Sequence, residues 1–166
     1  KPDSVDICFL PHGNYQKLVV EEMKTKPKSG NIVTEDGEIL GKHTGLFNYT
    51  IGQRKGLGIA YKHPLYVIGF NGERNEVIVG PNERLFTNRM ICKFYNFLDN
   101  TIHKELKAEG KIRYAANPSP CTARILDDDT MEVIFEEPQR AITPGQSVAF
   151  YNGTQLLGGA VIDRVC

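Results

Sequence analysis

The sequence predicts a mainly β protein: a small β domain followed by a β-barrel, with one short helix near the N-terminus. Three observations carry this. Apolar runs flank Asp36-Gly37, a two-residue hairpin signal, and a second pair of runs flanks a polar loop holding Asn71-Gly72. Between Lys111 and Asp163, about five short alternating runs are separated by Asn117-Pro118, Asp127–Asp129, Pro144-Gly145 and Asn152-Gly153. Short strands at that spacing suggest a small barrel, which removes exposed edges and gives loops a rigid platform. Finally, Gly41–Ala60, GKHTGLFNYTIGQRKGLGIA, holds five of the 16 glycines together with Lys42, His43, Arg54 and Lys55. Glycine is needed where φ is positive or where a backbone comes close to something else. Cations among the glycines make that something anionic, with phosphate the candidate. The plain alternative is a glycine-rich loop carrying solvated charges.

Taken in order, residues 1–12 read as an extended segment ending at Pro11. Gly13-Asn14 opens a short helix, with Tyr15, Leu18, Val19 and Met23 on one side. Pro27 and Gly30 close it and mark a linker. Asn31–His43 follows as the first hairpin, and Gly45–Gly52 as a strand. Leu65–Phe70 and Glu76–Val79 form the second hairpin. Residues 85–98 mark the passage to the second half. The expected divisions are 1–27, 28–92 and 93–166.

The chain has 166 residues, 40% apolar and 24% charged, enough for one domain or two small ones with real cores. No run approaches the ~20 apolar residues of a membrane span. The opening KPDSVD carries no legible signal peptide, and the missing initiator Met suggests a piece of a longer protein. The net charge is zero; residues 1–92 hold 12 basic and 10 acidic side chains, and 93–166 hold 8 and 10. Any nucleic-acid binding must therefore come from a local patch. The four cysteines, Cys8, Cys92, Cys121 and Cys166, form no C-x-x-C pair. No metal site is expected, and the compartment reads as reducing and cytoplasmic.

Cys8, in Ile7-Cys8-Phe9-Leu10, is the most interesting single residue. It is either a small buried hydrophobe or a nucleophile, and a nucleophile needs its pKa lowered by a cation or a helix N-terminus. Cys92 and Cys121 read as buried. Arg113-Tyr114, on a predicted strand, could fork a phosphate and stack on a base, or could be a solvated face beside a core aromatic. Gln146, past Pro144-Gly145, could read a base or sugar, or could simply close a hairpin. Asp127–Asp129 lacks the spacing of an EF-hand and reads as a turn.

Together the motifs DSVDICFLPHGNY, GKHTGLFNYTIGQRKGLGIA, PLYVIG, KIRYAANPSPC, EEPQRAITPGQSVAFY and LLGGAVID resemble, in this order, the C-terminal half of the tRNA-specific 2-thiouridylases. The stretch Ser4-Val5-Asp6-Ile7-Cys8 departs from a common Ser-Thr-Gly-Ile-Cys form but keeps Ile-Cys-Phe. The resemblance implies a small central β domain and a C-terminal barrel like one in translation elongation factors. It also implies an N-terminal PP-loop domain that binds ATP, whose Ser-Gly-Gly-Val-Asp-Ser signature is not in these residues. It further implies adenylation of the C2 oxygen of the wobble uridine and sulfur delivery from a persulfide on Cys8. A second cysteine outside these residues then closes a transient disulfide. It maps tRNA contacts onto Arg113, Tyr114 and Gln146, and less directly onto Arg54 and Lys55. tRNA and a sulfur donor, a cysteine desulfurase or relay carrier, are the expected partners. No membrane is expected, and the protein should be a monomer. A non-catalytic RNA-binding barrel is the alternative. A methyltransferase is disfavoured, since no glycine signature for its cofactor follows a strand.

Overall fold

The computed structural model describes residues 21–22, 27–98 and 104–166. The fold is nearly all β, as the sequence predicts. Glu21 and Glu22 are helical; the rest of the expected helix lies outside the described residues. No described helix is long and apolar enough to cross a membrane. The chain divides into two units, the first ending at Gly80 and the second beginning at Pro81.

The first unit holds β1 (Gly30–Thr34), β2 (Ile39–His43), β3 (Tyr66–Asn71) and β4 (Glu76–Gly80) in the order β2-β1-β4-β3. β1 and β2 form the expected hairpin. Its turn is closed by Gly37 N–H donating to the Thr34 carbonyl at 3.1 Å, while the Thr34 hydroxyl accepts from Glu38 N–H. β3 and β4 form the second hairpin, where the Asn71 side chain accepts from Arg74 N–H. β1 runs parallel to β4 and so joins the two hairpins into one sheet.

The segment between the hairpins differs from expectation. Leu46–Asn48 is a single 3-10 turn, not part of a strand. Its bonds are local: Asn48 N–H to Gly45 and Tyr49 N–H to Leu46. Leu46 and Tyr49 are laid onto the core without in-out alternation, so nothing favours a strand there. The glycine-rich stretch is therefore first a cover. It brings Leu57 and Ile59 over Ile32, Val67, Val77 and Val79.

His43, 1% exposed, ties this unit together. Its Nδ1 accepts from Gly45 N–H at 3.1 Å, which leaves Nε2–H to donate to the Asn75 carbonyl at 3.0 Å. Asn75 in turn donates to the Ser29 carbonyl. The buried imidazole thus satisfies the chain just past β2 and the β3–β4 turn, and the Asn75 side chain ties that turn to the entry to β1.

The second unit is a closed antiparallel barrel, β10-β5-β8-β7-β6-β9. Its strands are β5 (Phe86–Phe97), β6 (Glu105–Lys111), β7 (Ser119–Ile125), β8 (Thr130–Arg140), β9 (Ser147–Asn152) and β10 (Gln155–Val165). All four predicted turn signals fall at connections between strands, the last beginning on Asn152, the final residue of β9. β5, which the sequence reads as a passage between halves, is a full barrel strand paired with both β8 and β10. It runs through the 92/93 position of the expected division; the two units meet at Gly80/Pro81. Inward residues such as Met90, Met131, Val133, Phe135, Val148, Phe150 and Ile162 fill the barrel, so function falls to its rim and loops.

Candidate nucleic-acid interface

Arg113 and Tyr114 lie just past β6, in a turn closed by Ala116 N–H bonding to the Arg113 carbonyl at 3.1 Å. The predicted strand ends at Lys111 because Asn117-Pro118 turns the chain toward β7. The turn lifts Tyr114 into solvent at 82% exposure, with Lys111 Nζ 5.5 Å from its ring centroid. An exposed ring with a cation beside it is a surface on which a base can stack.

Gln146 follows the Pro144-Gly145 turn, as expected. Its N–H bonds to the Thr143 carbonyl at 3.2 Å, and Gly145 has φ 85, which makes a type II turn. Arg113 connects the two loops. One guanidinium nitrogen donates to the carbonyls of Arg140 and Ala141, at the start of the segment that Gln146 ends. The remaining N–H groups are available to a phosphate. β6 pairs with β9 through Lys111 and Ala149, which fixes both loops at one end of the barrel. The structure therefore brings Arg113, Tyr114 and the Gln146 loop to one rim, and adds Lys111.

The charges are distributed unevenly. Arg89 pairs with Glu132 at 2.6 Å, Arg124 with Glu105 at 3.2 Å, and Lys93 with Asp163 at 3.0 Å. Among the described residues, no carboxylate pairs with Lys111 or Arg113. Asp127 takes backbone N–H bonds from Asp129 and Thr130, which accounts for the triple-Asp turn and holds its carboxyl below the usual range.

Arg54 and Lys55 belong to the first unit and are exposed on its glycine-rich loop. Lys62 and His63, which the sequence reading does not single out, line the same groove as Arg54. The signal that could have found them is charge: no Asp or Glu occurs between Glu38 and Glu73.

Cys8 lies outside the described residues. Cys92 and Cys121 are in the barrel core, and burial above all pushes both thiols up to about 12. Neither is a nucleophile near neutral pH. Iodoacetamide at pH 8 is expected to spare both in the folded chain and to modify them after unfolding in urea, while exposed Cys166 reacts in both states. Peptide mass spectrometry reads the difference; rapid native labelling of Cys121 would contradict the closed barrel.

Both β units match known proteins. Residues 17–81 match the tRNA methyl transferase PRC-barrel domain and residues 87–162 the aminomethyltransferase beta-barrel domain. The chain is 44% identical over 165 residues to the tRNA-specific 2-thiouridylase MnmA of Clostridioides difficile, covering 99% of this chain and 46% of that protein. It is 44% identical to the protein of the same name from Carboxydothermus hydrogenoformans, covering 99% of this chain and 45% of the relative. With MnmA 1 of Clostridium tetani the identity is 45%, with coverage of 99% and 46%. The chain spans about half the length of the relatives it matches. The two domain models fall one on each β unit, and the chain belongs to the tRNA-specific 2-thiouridylase family.

Proposed function

We propose that this chain is the part of a tRNA-uridine 2-sulfurtransferase that grips tRNA and carries the sulfur-delivering cysteine. The observation that carries the tRNA contact is the barrel rim. It joins an exposed aromatic, two cations without carboxylate partners among the described residues, and an amide on a rigid turn. Phosphate contacts from Lys111 and Arg113 set position, and Tyr114 stacks on an unpaired base. Gln146 supplies a donor and an acceptor for a base edge or a ribose hydroxyl.

The chemistry assigned to Cys8 rests on the family. A donor protein loads Cys8 as a persulfide. The terminal sulfur attacks C2 of a wobble uridine whose C2 oxygen has been adenylated at the expense of ATP, and AMP leaves. A second cysteine, outside this chain, attacks the Cys8 sulfur. A protein disulfide forms, the 2-thiouridine is released, and an external thiol later reduces the disulfide. No residue here is assigned to ATP. A purely RNA-binding role is the second reading, favoured by the inert thiols of the described core.

Tyr114→Ala is expected to weaken tRNA binding by roughly 5- to 100-fold, the scale of one lost base stack. Arg113→Ala should weaken it and also lower its salt dependence. Filter binding over a salt series measures both. Wild-type affinity and slope in both variants would remove the barrel rim from the tRNA interface.

A further inference from the structure

We propose that the Arg54–Leu65 loop forms a groove for the phosphodiester backbone of RNA, read without regard to base sequence. The proposal rests on the tRNA-binding reading above and adds a second surface, in the other unit.

The loop encloses an open groove of about 600 Å³. Arg54, Lys62 and His63 line it together with Tyr61, and no carboxylate does. Among the described residues none of Arg54, Lys55 and Lys62 has an ion-pair partner, whereas Arg89, Lys93, Arg124 and Arg164 of the barrel are each paired with a carboxylate. At the groove's rim the Glu38 carboxylate accepts from the Tyr61 hydroxyl at 3.5 Å. One carboxylate at the rim does not cancel the fixed cations of the loop. In a chain of zero net charge this is a local positive site, and local sites decide where a polyanion lands.

The groove is also preformed. Leu57 and Leu65 anchor the loop in the core. Gly52 N–H and the Gln53 carbonyl bond to Val67 of β3 at 2.8 and 2.9 Å. The Gln53 side chain accepts from Thr50 N–H and donates to the Lys55 carbonyl. Cations held on a pinned loop lose little entropy when they meet a ligand. Nothing lies within 4 Å of where a Cβ on Gly58 would stand, so a phosphate can approach the backbone there.

The same facts argue against base reading. The amide of Gln53 is committed to the loop itself, and the groove is open. Point charges with an aromatic between them suit a sugar-phosphate chain.

The test is tRNA binding by the full 166-residue chain carrying Arg54→Gln with Lys62→Gln, across a salt series. Removing two phosphate contacts should lower the slope of log affinity against log salt by about 1.5 and weaken binding about tenfold. The control, Lys107→Gln on an exposed barrel strand, should change neither. An unchanged slope in the double variant overturns the groove, as does failure of the wild-type chain to bind tRNA at 50 mM salt. A second arm adds inorganic pyrophosphate at constant ionic strength. Saturable displacement of tRNA that is lost in the double variant would mean a free-phosphate site and would also overturn the proposal. Parallel Tyr114→Ala data separate the two readings. Loss there with a wild-type double variant sinks the groove alone, and the reverse sinks the barrel rim alone.

Discussion

In the full-length enzyme, Cys8→Ser is expected to abolish persulfide formation and 2-thiouridine synthesis while leaving tRNA affinity nearly unchanged. The expectation follows from the family resemblance, which places the persulfide on Cys8. Sulfur transfer needs a thiolate that a donor protein can reach. Burial pushes Cys92 and Cys121 up to about 12 and holds both in the barrel core. Cys166 is exposed and follows the last residue of β10, and the family resemblance does not place the carrier there. Loss of a covalent nucleophile costs at least about a thousandfold in rate. Mass spectrometry after incubation with a cysteine desulfurase and cysteine should show one added sulfur in the wild type and none in the variant. A gain that persists in Cys8→Ser would move the carrier elsewhere and leave this chain an RNA-gripping scaffold.

Gly158→Ala is expected to destabilise the barrel by about 2–4 kcal/mol, through a backbone strained at positive φ and a steric clash. Gly158 sits at φ 156, where β10 is flanked by β5 and β9 and its register with β9 shifts. A Cβ there would collide with the Asn96 carbonyl oxygen and lie 2.8 Å from the Phe97 Cα. Both obstacles are backbone, so no side-chain rotation relieves them. For a domain of this size the loss corresponds to a fall in Tm of roughly 10–25 °C. Calorimetry of the chain measures it. A variant melting within 2 °C of wild type would mean that β10 can shift, and that the glycines of Leu156–Asp163 have another purpose.

Much of the architecture was legible because it is written in local chemistry. Asp36-Gly37 makes a hairpin wherever apolar runs flank it. The four turn signals after residue 111 each fall at a connection between strands. β5 was harder to read. Its sequence, Phe86–Phe97, mixes Asn, Arg and Lys with apolar residues, and bulges against β8 and β10 break its alternation. β6 is mostly polar and is a strand because β7 and β9 pair with it. Leu46–Ile51 erred the other way. It has β-forming residues but no strand to pair with, and it became a core cover instead.

The same division applies to the site. The sequence by itself determined the residue types: a cation beside a tyrosine, an amide after Pro-Gly, and glycines among lysines and arginines. It also determined the family, since motifs keep their order along the chain. Only the tertiary structure decided that Arg113 reaches the carbonyls of Arg140 and Ala141 and so joins the Gln146 loop to its own. Only it decided that Cys92 and Cys121 are inert, and that Lys62 and His63 share a groove with Arg54. Each of these depends on which strands lie side by side. Closure of a barrel and packing of a loop onto a sheet set that at long range, where no local pattern of residues records it.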